Sequence, residues 1–229
     1  MVFTQTTLDK SPIFTYSKSM NDYQQEQLES LEVIQRQMKG FDEGTRAELN
    51  HMIRDYLEFR GETREFLSAH FGGICTRQCY ESRVSACCSK DGIITFFADM
   101  VINLLISTPD EAAALARVLQ KTNDGFKCVY LGPEGCRWRI KPIVCEMFLC
   151  DQARTEVFSK NPLGEAQWNT LEQRKKIYTW PDRPVLFDAI EHYFMKAGCR
   201  SPLMYLNTSP GLLRIKQQAL EKGTYYNER

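Results

Sequence analysis

Apolar side chains recur first at Leu28, Leu31, Ile34 and Met38, a spacing of three and four that lines one face of a helix starting near Asp22, with Gly40 as its stop. Leu49, Met52, Ile53, Tyr56 and Leu57 repeat the pattern in a second helix that extends through Phe66 toward Ala69. The short FDEGT connection predicts an antiparallel helical hairpin over residues 21–70. Its apolar stripe reads as core, with a seam for a protein partner or a second copy of the chain as the alternative. Residues 1–20 are polar without a strong period and predict an irregular N-terminal arm.

Downstream, Ile93 to Ile106 is apolar except for residues such as Asp99 and Asn103, which predicts a buried helix too short to span a bilayer. In STPDEAAALARVLQK, Ser107 or Thr108 caps the next helix, Pro109 fits its first turn, and Asp110 and Glu111 suit its positive end. Phe126–Leu131 and Cys136–Ile140 predict two short strands around the turn GPEG. Lys141-Pro142 then breaks the strand ahead of a helical turn carrying Cys145 and Cys150. Before that stretch, Gly72 and Gly73 are read as a sharp turn into a loop. Leu163–Tyr178 and Val185–Ala197 read as helices, and Pro210-Gly211 introduces a last one through Glu221. The fold class expected is mainly α with a small β-hairpin (α+β), its irregular cysteine-rich core organised around metal. The expected division is an arm at 1–20, a helical hairpin at 21–70, a cysteine-cluster metal-binding domain at 71–152, and C-terminal helices at 153–229 packed on that same domain.

With 229 residues the chain can bury a core without covalent or metal staples. Lys plus Arg and Asp plus Glu are 29 each, so no basic excess points to nucleic acid or an anionic membrane. The N-terminus lacks the basic start, apolar stretch and cleavage site of a secretory signal, and the expectation is a soluble, cytoplasmic protein. In that compartment the nine cysteines do not read as a disulfide framework, since cytosolic reductants keep thiols reduced and an odd number leaves one unpaired. Buried small hydrophobes would be scattered. Instead, eight fall in two groups: Cys75, Cys79, Cys87 and Cys88, then Cys128, Cys136, Cys145 and Cys150. Cys199 stands apart and reads as an ordinary core residue.

Four thiolates satisfy a tetrahedral zinc ion or the four iron corners of a [4Fe-4S] cluster, so two groups of four supply two sites, or one site with spare ligands. Sulfur donors favour such thiophilic metals over calcium or magnesium. The vicinal pair Cys87-Cys88 suits two metals or a larger cluster better than one ion. Of the three histidines, His51, His70 and His192, only His70 lies close in sequence to a thiol group, and it is kept as an outside candidate ligand. Arg77, Arg83, Lys90, Arg137, Arg139 and Lys141 crowd the same segments, as offsets to thiolate charge or as ordinary solvated cations. Trp138 between two arginines is weak support for a nucleic-acid stacking platform.

The segment CVYLGPEGCRWRIKPIVCEMFLC at 128–150 resembles the second half of the YkgJ-type cysteine cluster proteins, with their R-P-x-x-C-R-x-F-x-C. The stretch C-TRQ-C-YESRVSA-CC resembles that family's opening C-x-x-C-x-x-CC block. The likeness covers residues 72–150 and implies a zinc- or iron-chelating domain, often described as holding an iron-sulfur cluster, with the eight cysteines as ligands. Here the opening spacings are three and seven, Lys141 stands at the family's first Arg, and Glu146 replaces its second. Flagellin lysine methylases carry a similar cluster, which makes a cluster-dependent redox or protein-modifying enzyme the second reading. Ser82, however, stands where a C-x-x-x-C-x-x-C pattern needs its third cysteine. A metal-stabilised protein-interaction adaptor is the third.

Overall fold

Asn21 starts the first helix by accepting the Gln24 N–H on its side chain (2.8 Å), and α1 runs from Asp22 to Lys39 before Gly40 ends it. The computed structural model describes residues 20–74, 88, 94–123, 125, 127–132, 135–179, 184–208, 217, 218 and 221, and over these the chain is mainly helical with one small antiparallel hairpin.

Asp42 accepts the Thr45 N–H (2.7 Å) at the start of α2, Glu43–Ile74. This helix passes straight through Gly72 and Gly73, so the sharp turn expected there, and the boundary expected at residue 71, fall inside a helix. Two glycines weaken its end by roughly 1 kcal/mol each relative to alanine. What opposes them is Phe71, buried and edge-on to Phe158 at 5.4 Å. α1 packs mainly on α3 (Phe97–Ile106) and α4 (Pro109–Leu119), whereas α2 packs on α6 (Asp151–Phe158) and α7 (Pro162–Thr179).

α3 begins four residues later than its apolar run implies, because the Asp99 carboxylate accepts the Phe96 N–H (3.2 Å) and fixes the first turn there. α4 starts as expected: Thr108 Oγ1 accepts from the Glu111 N–H (3.3 Å) while Glu111 accepts from the Thr108 N–H (2.7 Å). The strands are shorter than expected. β1 is Leu131–Gly132 and β2 is Gly135–Cys136, with Leu131 opposite Cys136. Beyond Cys136 the chain leaves the sheet, since the Ile140 N–H is taken by the Asn103 side chain (3.0 Å). α5 is the single turn Ile143–Glu146, which holds Cys145 alone; Cys150, placed on the same turn by the sequence, instead precedes α6.

α8, Leu186–Lys196, packs on α3 and α7 and puts Phe194 edge-on to Phe97 at 5.3 Å. It ends in a Schellman turn: Cys199 N–H bonds to Phe194 O (3.0 Å), Gly198 N–H bonds to Met195 O (3.0 Å), and Gly198 takes φ +82°. No atom crowds the place of an added Cβ there. Gly198→Ala is therefore expected to cost only the left-handed backbone penalty, about 1–2 kcal/mol, read as a lower urea midpoint. A short α9, Tyr205–Thr208, follows, and of the last predicted helix only 217, 218 and 221 are described, all helical. Among the described residues no helix is long and apolar enough to cross a membrane.

Candidate metal centre

Two buried polar residues on an otherwise apolar helix shape the second cysteine stretch. Asp99 accepts the Ile143 N–H (3.0 Å) and Asn103 the Ile140 N–H (3.0 Å), so α3 grips the backbone on both sides of Lys141-Pro142. Arg60, on α2 and 1 % exposed, also donates to the Lys141 carbonyl (2.5 Å), to Glu146 (2.9 and 2.5 Å) and to the Tyr56 hydroxyl (2.5 Å). Cys145, on the turn between these clamps, has its Sγ 3.9 Å from the Ile94 carbonyl.

The hairpin brings the next thiols. Leu131 N–H bonds back to the Cys128 carbonyl (3.0 Å), and the strand pair sets Cys136 opposite Leu131. The Cys128 N–H bonds to the Cys88 carbonyl (2.8 Å), so the end of the first cysteine group touches the start of the second. Burial pushes the Cys128 thiol up to about 12; the Tyr130 N–H on its sulfur opposes this, the nearby Cys136 and Cys145 thiols add to it, and the Leu131 N–H opposes it. Burial also raises Cys136, against the Trp138 N–H and Lys141. Tyr23, on α1, stands beside the same group: burial drives its hydroxyl far up, Thr95 opposes, and Cys128, Cys145 and Cys136 each push it further.

Thus Cys136 and Cys145 each lie within electrostatic reach of Cys128, and Cys88 is tied to Cys128 through the backbone. Cys75, Cys79 and Cys87 lie outside the described residues, as do Arg77, Arg83 and Lys90. Cys150 is partly buried against the core at the head of α6. Among the described residues no three His, Cys, Asp or Glu side chains converge to a distance that holds a metal ion. Main-chain N–H groups of Tyr130 and Leu131 lie by the Cys128 sulfur, and that of Trp138 by the Cys136 sulfur.

The other expected residues separate from this group. Cys199 is buried, with its Sγ 3.6 Å from Gln37 Oε1. His70 packs its ring on Phe66, centroids 4.6 Å apart. Arg139 pairs with Glu111 (3.0 Å), and the Arg137 guanidinium lies over Gly132, where an added Cβ would meet it at 3.1 Å. Trp138, 4 % exposed and edge-on to Tyr130 at 5.3 Å, is core and cannot stack a base.

Arg60, Tyr23 and the bonding role of Asp99 escape the sequence pattern, although Arg60 sits one turn from Tyr56 on a stripe of buried residues and Asp99 interrupts an apolar run. Burial raises the Asp99 carboxyl from 3.8 to about 6, against Arg60 and the Ile143 and Phe96 N–H groups. The folded chain therefore binds this proton more tightly than the unfolded one. The stability it contributes is full below 3.8 and is lost as pH rises through about 6. Urea midpoints of the parent are expected to fall across that window, and those of Asp99→Asn to be flatter and lower throughout, since the Phe96 and Ile143 N–H groups bond to different carboxylate oxygens and the amide puts an NH2 donor in place of one of them.

No protein-family model matches the chain, and no curated protein and no solved structure matches it.

Proposed function

We propose that the chain is a metal-binding protein whose cysteine thiolates hold an iron-sulfur cluster or zinc, as the YkgJ-type pattern of its cysteines suggests. The observation that carries this reading is the backbone bond that joins Cys128 to Cys88 across the two cysteine groups, with Cys136 and Cys145 each within electrostatic reach of Cys128. Burial and mutual repulsion make thiolates at these positions unfavourable by themselves, and a bound cation reverses that balance. The proposed ligands are Cys75, Cys79, Cys87 and Cys88 with Cys128, Cys136, Cys145 and Cys150. Zinc would supply a structural clamp between the two stretches, and a cluster would add one-electron chemistry. The proposed setting is the reducing cytoplasm, which suits six described cysteines that are all free thiols.

The test is elemental analysis with visible absorption on protein purified without oxygen and without metal-affinity resin. Iron with acid-labile sulfide and a brown colour supports the cluster, and colourless protein with stoichiometric zinc supports the zinc site. Protein holding neither metal ends the proposal.

A further inference from the structure

We propose that Asp99 is a proton-operated cap on α3: when the carboxyl is neutral its proton sits on Oδ2 and breaks the bond to the Phe96 N–H, and loss of that proton closes the first turn of the helix. The inference stands apart from the metal reading and needs no bound group.

Two buried carboxylates share one buried cation between α2, α3 and α5. Asp99, Glu146 and Arg60 are all buried, and the Arg60 guanidinium spends its bonds on Glu146, the Lys141 carbonyl and the Tyr56 hydroxyl. Asp99 accepts from the Phe96 and Ile143 N–H groups, and among the described residues no cation is bonded to it. Of the two carboxylates, the one without a bonded cation is the one that takes up a proton. Burial raises Asp99 to about 6, with Arg60 and the Ile143 and Phe96 N–H groups opposing and Glu146 adding. Burial also keeps the nearby Tyr56 a neutral hydroxyl. On the other elements that pack against α3, ionisable side chains hold other partners: Tyr23 of α1 meets Thr95, Asp188 of α8 bonds Val185 N–H and the Tyr205 hydroxyl, and Glu191 bonds the Tyr205 and Leu206 N–H groups.

The two Asp99 oxygens are not equivalent. Oδ1 takes the Ile143 N–H at 3.0 Å and Oδ2 the Phe96 N–H at 3.2 Å. A neutral carboxyl carries a hydroxyl in place of one acceptor, and the longer, weaker bond is the one it gives up. That bond is the cap of α3, whereas the Ile143 bond keeps the 140–146 backbone in place in both forms. A charged oxygen accepts more strongly than a neutral one, so the cap tightens as the proton leaves. The output falls on residues 94–96: the Phe96 ring stands edge-on to Phe187 (5.6 Å) and Tyr205 (6.0 Å), Thr95 meets the Tyr23 hydroxyl (3.3 Å), and the Ile94 carbonyl lies 3.9 Å from Cys145 Sγ. One buried proton thus sets how firmly the chain is held where it enters α3.

The experiment is a nuclear magnetic resonance titration of the full-length protein on both sides of pH 6. The Asp99 carboxyl carbon, assigned through its own backbone amide, reports the proton directly. As that carbon becomes protonated, the Phe96 amide proton is expected to move upfield with the same midpoint and to exchange with solvent faster, while the Ile143 amide moves less. Folded Asp99→Asn is expected to lose the pH response at Phe96. A carboxyl carbon that does not titrate in the folded protein, or a Phe96 amide that does not follow it, overturns the cap. Equal movement of both amides, or a larger one at Ile143, overturns the assignment of the proton to Oδ2, and a pH response at Phe96 retained in Asp99→Asn assigns the effect to another group. Should Asp99→Asn not fold, the parent titration alone decides.

Discussion

Arg60→Met is expected to destabilise the protein by about 3–5 kcal/mol, the cost of leaving a buried carboxylate without its partner. Arg60 is 1 % exposed and serves Glu146, the Lys141 carbonyl and the Tyr56 hydroxyl together, with its guanidinium over the Tyr56 ring at 5.3 Å. Methionine fills much of the same volume but makes none of these bonds. Glu146→Gln keeps an acceptor, so the double variant Arg60→Met with Glu146→Gln should lose less than the two single losses added together. Urea titration of the four proteins measures this directly. Arg64, exposed and 4.0 Å from Glu146, is the one cation placed to substitute among the described ion pairs of that residue. A loss below about 1 kcal/mol would mean that Arg64 or water takes over, and that the clamp on residues 141–146 does not depend on Arg60.

On the proposed metal reading, metal removal is expected to have the second large effect. A ligand held only by the folded state, at a thousand times its Kd, stabilises that state by about 4 kcal/mol, and a chelator should take that much away. Cys145→Ser is expected to lower metal content and to make stability insensitive to the chelator, because Cys145 stands on the turn that α2 and α3 both hold in place. Cys199→Ser supplies the contrast: buried against Gln37 and separated from the other thiols, it should leave metal content as in the parent. Cys145→Ser with full metal and the parental chelator response would remove Cys145 from the ligand set.

These expectations also mark where sequence reasoning succeeds. The start of α4 was legible to within one residue, Ser107 or Thr108, because it is written in local chemistry, Thr108, Pro109 and Glu111, which needs nothing from the rest of the fold. α3 was legible as an element but misplaced at its start, since apolarity alone does not separate Ile94 at 52 % exposure from Phe97 fully buried; the side chain of Asp99 decides. α6 was overlooked because only Ala153 and Phe158 on it are buried, too few to show a period. The grouping of the cysteines could be read directly, but their supports could not. Tyr56, Arg60 and Asp99 come from two helices distant from it in sequence, and no spacing rule links them to the 140–146 backbone.

α3 has a consequence for how the molecule breathes. Eight of its ten residues are buried, and it lies against both α1 and α8. Local opening of chain ends and surface turns leaves such a segment closed until global unfolding. The carboxylate and amide that fix the Ile140–Ile143 backbone therefore belong to the last part of the protein to exchange its amide hydrogens, and that backbone keeps its shape while the periphery frays.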